Sequence, residues 1–367
     1  MKNYLNFEED IKKLELELDQ LKDPYNQEGL SEVDTKKIQD LQDELEIKLK
    51  NIYSNLNPLQ TVLVARHEDR PKSKFFIDNL FSDFISLSGD RHYGEDKSVI
   101  AGFAKFSGMS VLVIGQEKGE SLDTRIERNF GMMKPEGYRK TIRLMKLADK
   151  FKIPIISFVD TPGAYPGVGA EERGQAEAIA KSIECCIELS VPTISVIIGE
   201  GGSGGAIALA SSNKVLMLQN AIYSVISPEG CATILWKDPT KILEAAEAMK
   251  LTANDLLSLE IIDEIILEPS GGAHRDKNLI LSNVRNSILE NLNSLRNLET
   301  EEILSQRKNR FLSIGRKKGF ISKTTDNEKL SMKISIFDKF QSFFKLNKIF
   351  IFGTLFLLFA LLFYIVI

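Results

Sequence analysis

Cysteine is scarce in this sequence of 367 residues, which has three: Cys185, Cys186 and Cys231. A structural zinc site takes four ligands from spaced cysteine or histidine residues, and two adjacent cysteines in a helical pattern do not supply them. We therefore expect no metal in this chain and interpret the cysteines as small core residues. Their low number is typical of a protein in a reducing compartment.

The chain also lacks a strong net charge, since 47 Lys and Arg oppose 51 Asp and Glu. The basic residues are concentrated late: residues 307–348 hold twelve Lys and Arg but three Asp and Glu, so the rest of the chain is acidic. A nucleic-acid-binding domain carries its basic residues on the folded body, and we therefore expect no nucleic-acid partner. The first ten residues have no apolar stretch of signal-peptide type, so we expect the body to stay in the cytoplasm.

Two further absences bear on the chemistry. The sequence has no G-x-x-x-x-G-K-[S/T] phosphate loop, so we do not expect this chain to bind ATP. It also has no cluster of histidine, cysteine or paired carboxylates that stands out as an acid–base centre.

The N-terminal segment reads as two helices. Apolar residues recur every three or four positions over 11–21 and again over 38–56, and Asp23-Pro24 and Asn57-Pro58 interrupt the pattern. This spacing predicts two amphipathic helices. We interpret residues 1–57 as a helical hairpin, which either packs on its own body or helps to bind another subunit.

From about Val99 onward, short runs of β-branched residues alternate with helical stretches. The predicted strands are Val99–Phe106, Val111–Gly115, Pro154–Asp160, Thr193–Gly199, Lys214–Leu218 and Ala221–Ile226. The predicted helices are Glu136–Lys152, Glu171–Leu189, Gly204–Ser212, Thr240–Met249, Ala253–Leu257 and Lys277–Leu295. This alternation predicts an α/β domain with mainly parallel strands, which we place at residues 58–300.

The end of the chain has a different composition. Residues 301–348 form a basic linker, and residues 349–367 are nineteen residues without a charge. Nineteen helical residues span roughly 28 Å, close to the roughly 30 Å of a bilayer core, so we predict a C-terminal transmembrane helix. The lysines before it predict a protein that is anchored by its tail in the inner membrane, with the body on the cytoplasmic side.

Two glycine-rich segments, Asp160–Ala170 and Gly199–Ala206, each follow a predicted strand and precede a predicted helix. Glycine permits positive φ angles and a close approach of ligand to backbone, and a helix N-terminus offers unpaired N–H groups. One such segment would be explained by a tight turn alone, whereas two in one domain favour a functional role. Together they indicate an oxyanion hole, in which fixed donors stabilise negative charge that develops during a reaction.

Two other interpretations stay open. Ser203 lies in a G-x-S-x-G pattern, residues 201–205, which is typical of a serine hydrolase. His274 and either Asp255 or Asp263 would then complete a catalytic triad. Alternatively, the chain is a non-catalytic membrane scaffold that acts through its tail, although a scaffold has no evident need for intact glycine segments.

Six strings of residues carry a close resemblance to one protein family. They are VDTPGAYPGVGAEERG (159–174), IGEGGSGGA (198–206), YSVISPEGCATILWK (223–237), RNFG (128–131), PEGYRK (135–140) and GGAHR (271–275). Over residues 5–311 the chain resembles the alpha subunit of acetyl-CoA carboxylase carboxyltransferase. The resemblance implies a crotonase-like fold, which is a spiral of ββα units.

The same resemblance implies a reaction and its partners. In this family the carboxyl group of carboxybiotin, held on a biotin carboxyl carrier protein, passes to acetyl-CoA and gives malonyl-CoA for fatty acid biosynthesis. The alpha subunit works with a beta subunit, which carries the family's zinc ribbon, in an α2β2 assembly. A separate biotin carboxylase consumes the ATP. Because biotin can act as the base, an alpha subunit needs no acid–base cluster of its own.

Site residues are implied in the same way. The backbone N–H groups of Gly204 and Gly205 are candidates to hold the biotin ureido oxygen, and Ser203 is either a turn residue or a pocket hydroxyl. The biotin and carboxylate pocket is implied at Thr161, Pro162, Gly163, Ala164, Tyr165, Pro166, Gly167 and Ala206. Candidates for contacts to CoA phosphates or to the beta subunit, with a solvated basic face as the alternative, are Arg125, Arg128, Lys134, Arg139 and Lys140. The family pattern has His-Gln where this chain has Gln116-Glu117, so no role of that histidine carries over.

Overall fold

The structure is a computed structural model that describes residues 3–22 and 35–315. The chain divides into two units, Met1–Gly319 and Phe320–Ile367, and every described residue belongs to the first. The fold reported is therefore that of the first unit. The domain boundaries predicted after residues 57, 300 and 348 stay predictions.

An eight-stranded sheet forms the centre of the described fold. Its strands are β1 (Ser82–Ser86), β2 (Val99–Phe106), β3 (Met109–Gln116), β4 (Ile155–Thr161), β5 (Thr193–Gly202), β6 (Lys214–Leu218), β7 (Ile222–Ser224) and β8 (Glu264–Ile266). They lie in the order β1-β2-β3-β4-β5-β6-β8, and β7 pairs with the end of β5. β1, β2 and β3 are antiparallel, whereas every pairing from β3 to β8 is parallel, as the alternation of strands and helices predicts.

β4 and β5 lie in the middle of the sheet and are buried along almost their whole length. A parallel strand that is covered on both faces has no solvent-exposed face. Its sequence is therefore a nearly continuous apolar run rather than an alternation of apolar and polar residues. Their register shifts after Val159, and Thr161 then pairs with Gly201. This pairing brings the two glycine-rich segments side by side, because each segment continues from one of these strand ends.

Fourteen α-helices lie in the described residues, together with a π-helix and two short 3₁₀ turns. The α-helices are α1 (Glu9–Lys22), α2 (Thr35–Tyr53), α3 (Pro58–Ala65), α4 (Ser73–Leu80), α5 (Leu122–Glu127), α6 (Pro135–Lys150), α7 (Val168–Glu172), α8 (Gln175–Glu188), α9 (Ser203–Ala210), α10 (Pro228–Cys231), α11 (Ile242–Met249), α12 (Ala253–Ser258), α13 (Lys277–Arg296) and α14 (Thr300–Ser313). Helix α9 packs on β4 and β5, and α6 packs on α8. The Asn57-Pro58 break predicted from sequence is the start of α3, where the Asn57 side chain accepts the N–H of Gln60 and Pro58 takes the first helical position.

The two predicted N-terminal helices are present as α1 and α2, and they pack against each other and against α3. The buried apolar side chains of this contact are Ile11, Leu49, Tyr53 and Val64. Arg275, which precedes α13, forms ion pairs with Glu8 and Glu15 of the N-terminal segment, the Glu8 pair at 3.1 Å. Both carboxylates are buried, so the pairs fix α1 on the body of its own chain.

The predicted fold class is wrong in one respect, its C-terminal transmembrane helix. Residues 349–367 lie outside the described residues. Of the helices in the described part of the chain, none combines the length and the apolar composition that a crossing of the bilayer requires. The fold of residues 3–22 and 35–315 is α/β with an N-terminal helical pair, and no transmembrane helix lies within these residues.

The last described helix, α14, is fixed to the body by a buried arginine. Arg307 is fully buried and donates to the carbonyl oxygens of Leu189 at 2.5 Å and Val191 at 2.7 Å and to the side-chain oxygen of Asn213 at 2.5 Å. These carbonyls lie just after the end of α8, where backbone acceptors have no helical partner. Arg307 therefore supplies donors that the C-terminal end of α8 lacks.

We predict that Arg307→Met lowers the free energy of unfolding by about 2–4 kcal/mol, because several buried acceptors lose their donor together. Urea unfolding of the purified chain measures the change. The matched control is Lys308→Met, which removes the adjacent but exposed cation and should change the free energy by less than about 0.5 kcal/mol. Equal stability of the two variants would contradict the structural role of Arg307.

Candidate active site

The two glycine-rich segments meet at the carboxyl ends of β4 and β5. The first continues from Thr161 into a loop of residues 162–167 and then into α7, and the second ends β5 and begins α9. In parallel α/β sheets, ligands bind outside the carboxyl ends of the strands, which is where both segments lie. Thr161 and Gly201 are paired neighbours at this edge.

Direct backbone contact joins the two segments. A Cβ atom on Gly205 would lie 2.7 Å from the carbonyl carbon of Gly163, and one on Gly202 would overlap the carbonyl group of Pro162. Any side chain at Gly202 or Gly205 would push the loop away. Gly204 differs, because its Cβ would stand 3.4 Å from the Ile179 side chain, at an ordinary contact distance. Glycine is therefore needed for close packing at the first two positions but not at Gly204.

The start of α9 offers N–H groups without a partner in their own helix. The first N–H groups of a helix have no intrahelical acceptor, and α9 begins at Ser203, so this applies to the N–H groups of Gly204 and Gly205. Ser203 has a φ of 50°, which turns the chain sharply out of β5 into the helix. Gly204 is partly exposed, whereas Gly205 is buried under the loop. These fixed donors at a positive helix end suit an anionic oxygen.

The loop of residues 162–167 is held by its own hydrogen bonds. The Thr161 hydroxyl donates to the carbonyl of Gly163 at 2.6 Å, and the Gln175 side chain donates to the carbonyls of Tyr165 and Met133 at 3.0 and 2.8 Å. The Tyr165 N–H donates in turn to Met133. The proposed pocket residues of this loop thus share one ordered backbone, with the prolines at 162 and 166 exposed at its surface.

A buried ionic cluster lies directly beneath the two segments. The Lys118 ammonium is 2.8 Å from Asp160, the first residue of one glycine-rich segment, and 2.6 Å from Glu200, which lies within the other. Arg66 reaches the other oxygen of Glu200 at 2.6 Å and also pairs with Glu229 at 2.7 Å. Asp160 accepts the backbone N–H of Glu200 at 2.9 Å. One lysine therefore ties the ends of both strands together.

Glu200 and Lys118 of this cluster keep their charges at neutral pH. Burial alone would raise the pKa of Glu200, but Lys118 and Arg66 together lower it below its ordinary value. Burial alone would likewise lower the pKa of Lys118, but Asp160 and Glu200 raise it. The opposite charges thus outweigh the loss of water in both cases.

Beside the cluster, a cavity of about 320 Å³ opens between α3, α5 and the ends of β3, β4 and β5. Its rim carries Phe130 on a backbone with three successive positive φ angles, 48°, 55° and 82° for Asn129, Phe130 and Gly131. Gly131 is needed there because a Cβ would lie 2.7 Å from the carbonyl oxygen of Asp160. The cavity wall also includes Lys72. Burial lowers the pKa of Lys72, and its ammonium group donates to two backbone carbonyls.

The cationic residues predicted for CoA or subunit contact lie in different places. Arg125 faces the cavity. Arg139 and Lys140 form ion pairs with the connection between β1 and β2, and Lys140 is buried. Arg128 donates to a backbone carbonyl of the same connection at 2.6 Å, and the Lys134 ammonium stands 5.1 Å from the centre of an aromatic ring in the glycine loop. Of the five, Arg125 alone lines the cavity.

Sequence reasoning missed Lys118, Glu200 and Arg66 as members of the site. Lys118 and Glu200 are 82 residues apart in the chain, and Arg66 and Glu200 are 134 apart, so no local pattern connects them. One sequence signal could have indicated the cluster, namely a charged residue inside a glycine string that follows an apolar strand. Glu200 lies at such a position, and a charge that is buried there requires an oppositely charged side chain beside it.

The structure does not assemble the serine hydrolase triad. The His274 ring stacks on His67 with 3.9 Å between ring centres, and it makes no hydrogen bond to Ser203 within the described residues. Burial, with a smaller effect of His67, lowers the pKa of His274 to about 3, which makes it a poor base. The Asp255 carboxylate accepts the hydroxyl of Thr252, the N-cap residue of α12, and Asp263 forms an ion pair with Arg310 of α14. Neither carboxylate orients the imidazole.

In the described parts of the chain, no three His, Cys, Asp or Glu side chains are placed to hold a metal ion. The three cysteines are buried and unpaired. Burial raises the pKa of Cys186 to about 12, which suits a core thiol rather than a ligand or nucleophile.

Comparison with known proteins identifies close relatives. Residues 4–315 match the sequence model of a family described as acetyl co-enzyme A carboxylase carboxyltransferase-like. The chain is 73% identical over 361 residues to the acetyl-coenzyme A carboxylase carboxyl transferase subunit alpha of Pelagibacter ubique strain HTCC1062, covering 98% of both chains. It is 50% identical over 320 residues to the subunit of the same name from Nitrobacter winogradskyi, covering 87% of this chain and 99% of the relative.

Among solved structures, the chain is similar to transcarboxylase 12S in two crystal structures, both with a TM-score of 0.51. The sequences are 19% and 21% identical. The match covers 62% of this chain and 42% or 41% of the transcarboxylase chain, so this chain spans less than half of that protein. At such identities the likeness shows a shared fold.

We predict that Lys118→Met lowers the free energy of unfolding near pH 7 by about 3–5 kcal/mol, because it leaves two buried carboxylates without their shared cation. Ionised Glu200 contributes stability above the ordinary carboxyl pKa of about 4.3, and this contribution is lost as the pH falls through the lowered folded-state value. The difference between variant and wild type should therefore shrink as the pH falls below about 4.

Urea unfolding at several pH values measures this difference. Lys74→Met is the matched control, since Lys74 forms an exposed pair with Asp78 and should contribute less than about 1 kcal/mol. A loss of stability for Lys118→Met that is as small as the control's would show that the cluster does not hold the strand ends.

Proposed function

The chain belongs to the acetyl-CoA carboxylase carboxyltransferase family, as an alpha subunit, and we propose that it transfers the carboxyl group of carboxybiotin to acetyl-CoA. The product would be malonyl-CoA, the precursor of fatty acid biosynthesis. The crotonase-like spiral that the family resemblance implies is part of this proposal, and the fold shared with transcarboxylase 12S supports it.

The observation that carries the proposal is the start of α9, where the N–H groups of Gly204 and Gly205 have no partner within their helix and the backbone lies against the glycine loop. Biotin on a carrier protein supplies the carboxyl group and the base. The chain's own part is to hold the ureido oxygen with the N–H groups of Gly204 and Gly205 as negative charge develops. Donors that are fixed before the reaction stabilise such charge without reorganisation.

The rest of the proposed pocket follows from the same contact. The loop from Thr161 to Gly167 forms one wall and Ala206 part of the floor, so that a flat ureido ring meets backbone rather than long side chains. The exposed prolines of the loop leave this wall open to a partner. Arg125, which faces the adjacent cavity, remains our candidate for a CoA phosphate contact.

The carboxylates of the described site, Asp160 and Glu200, are both held in ion pairs with Lys118, which supports a base that is supplied by a partner. We propose that the chain acts in an α2β2 assembly with a carboxyltransferase beta subunit, supplied by a biotin carboxyl carrier protein and by a biotin carboxylase that consumes the ATP. A cytoplasmic location belongs to the same proposal. It is supported by the three unpaired cysteines, which a reducing compartment would preserve.

We predict that the purified chain alone does not form malonyl-CoA, and that activity appears when a beta subunit and carboxylated carrier protein are added. The physical reason is that the site offers donors for negative charge but no base or carboxyl group. A radiolabel assay for malonyl-CoA measures the transfer. Steady turnover by the isolated chain would contradict the proposal.

We also predict that Gly205→Ala reduces carboxyl transfer by at least about 10²-fold in the assembled enzyme, the usual effect of losing one oxyanion donor. The added Cβ would displace the loop at Gly163. Gly204→Ala should lose far less, because its Cβ finds ordinary space and its N–H is kept. Gly94→Ala is the control outside the site, since nothing lies within 4 Å of its Cβ.

Ser203→Ala separates this proposal from a hydrolase. Carboxyl transfer should persist within about tenfold because the backbone donors remain, whereas a nucleophilic serine would be indispensable. Covalent labelling of Ser203 by a fluorophosphonate would support the hydrolase instead.

A further inference from the structure

Gln116 ends β3 and is fully buried beneath the active site. Its side-chain oxygen accepts the backbone N–H of Asp160 at 3.2 Å, and its side-chain nitrogen donates to the carbonyl oxygen of Gly205 at 2.7 Å. One amide group thus joins the end of β4, from which the glycine loop continues, to the first turn of α9. These are the two segments whose contact defines the proposed oxyanion hole.

The position of Gln116 gives these bonds a specific effect. The ladder between β3 and β4 ends at the pair of Gly115 and Phe158, so beyond it the strands no longer hold each other directly. At Asp160 the Gln116 side chain supplies a hydrogen bond in place of the strand ladder. Its nitrogen also donates to α9, at the carbonyl of Gly205. The backbone of Gln116 is itself fixed, because its carbonyl accepts the Ser73 hydroxyl at 2.6 Å. The side chain therefore holds both glycine segments from a rigid point.

We propose that Gln116 is a positioning residue of the carboxyl transfer, which sets the N–H groups of Gly204 and Gly205 relative to the glycine loop. The inference rests on the proposed function, since it concerns the same donors. Gln116 does not touch a reacting atom. It acts through the backbone, and a shift of the donors of about 1 Å is enough to reduce a rate by about 10²-fold.

The chemistry of the amide explains why this residue type fits. An amide donates and accepts at the same time and does not ionise, so both bonds persist at any physiological pH. Leucine has a similar volume but makes neither bond. A neutral imidazole also has one donor and one acceptor, but a protonated imidazole has two donors and cannot accept the N–H of Asp160. Histidine at this position should therefore position the donors only while it is neutral.

The test measures kcat and KM of the alpha–beta enzyme between about pH 6 and pH 8, with carboxylated carrier protein as the carboxyl donor and acetyl-CoA as the acceptor. Gln116→Leu should lower kcat about 10–100-fold and leave the KM for acetyl-CoA within about twofold. Gln116→His should retain most of the wild-type kcat near pH 8. Burial lowers the pKa of a histidine, as it does for His274, so the imidazole should stay neutral and the retained kcat should persist down to about pH 6.

Ser195→Ala is the matched control. Its buried hydroxyl donates to the carbonyl of Leu209 near the other end of α9, at 2.7 Å, so the variant also loses a buried hydrogen bond to this helix. It should lower the melting temperature without changing the kcat more than about twofold. If it lowers kcat as much as Gln116→Leu does, the effect is general loosening of the helix and the inference is overturned.

The outcomes separate the two proposals. Wild-type kcat in Gln116→Leu, or a kcat in Gln116→His that is lowered by about tenfold or more, would overturn the positioning role while the proposed function stands. If Gln116→Leu does not assemble, the kcat of Gln116→His decides alone. A wild-type enzyme that transfers no carboxyl group with its partners present would overturn the proposed function, and this inference with it.

Discussion

Backbone touches backbone where the first turn of α9 lies against the peptide of Gly163, and the rest of the site depends on this contact. A Cβ on Gly205 would stand 2.7 Å from that peptide, so the approach exists only because residue 205 is glycine. The parallel pairing of Thr161 with Gly201 brings the segments together, and the burial of β4 and β5 holds that pairing in place. The N–H groups at the start of α9 are therefore fixed relative to the loop before any ligand arrives, which is the condition for electrostatic stabilisation of a developing charge.

Two kinds of side chain keep the contact from opening. Lys118 neutralises Asp160 and Glu200 at the strand ends, and Gln116 joins Asp160 to Gly205 without any charge. Burial of an ion pair gives little net stability, so the value of such a cluster lies in geometry: each carboxylate has one low-energy position. A neutral amide beneath it adds a connection that does not depend on pH. The site thus has few candidates for acid–base chemistry because most of its polar groups serve to hold backbone in place.

Much of this architecture could be predicted from sequence, and the failures have physical causes. The glycine strings, their parallel strands and the two N-terminal helices have local signals, namely apolar periodicity, glycine and proline. β1 was missed because it is short and mostly exposed, so it has no apolar run. The ionic cluster was missed because Arg66 and Glu200 lie 134 residues apart and meet only in the fold. The transmembrane helix included in the predicted fold class was wrong, because that prediction used only the length of an apolar run. No helix in residues 3–22 or 35–315 is long and apolar enough to cross a bilayer.

The central claim is that the N–H groups of Gly204 and Gly205 hold the biotin ureido oxygen. A crystal structure of the chain assembled with a carboxyltransferase beta subunit and biotin tests it most directly. The account predicts the ureido oxygen within about 3 Å of at least one of these two nitrogens, with the ring against the loop that begins at Thr161. Biotin bound elsewhere, with a side chain rather than this backbone holding its ureido oxygen, would contradict the account.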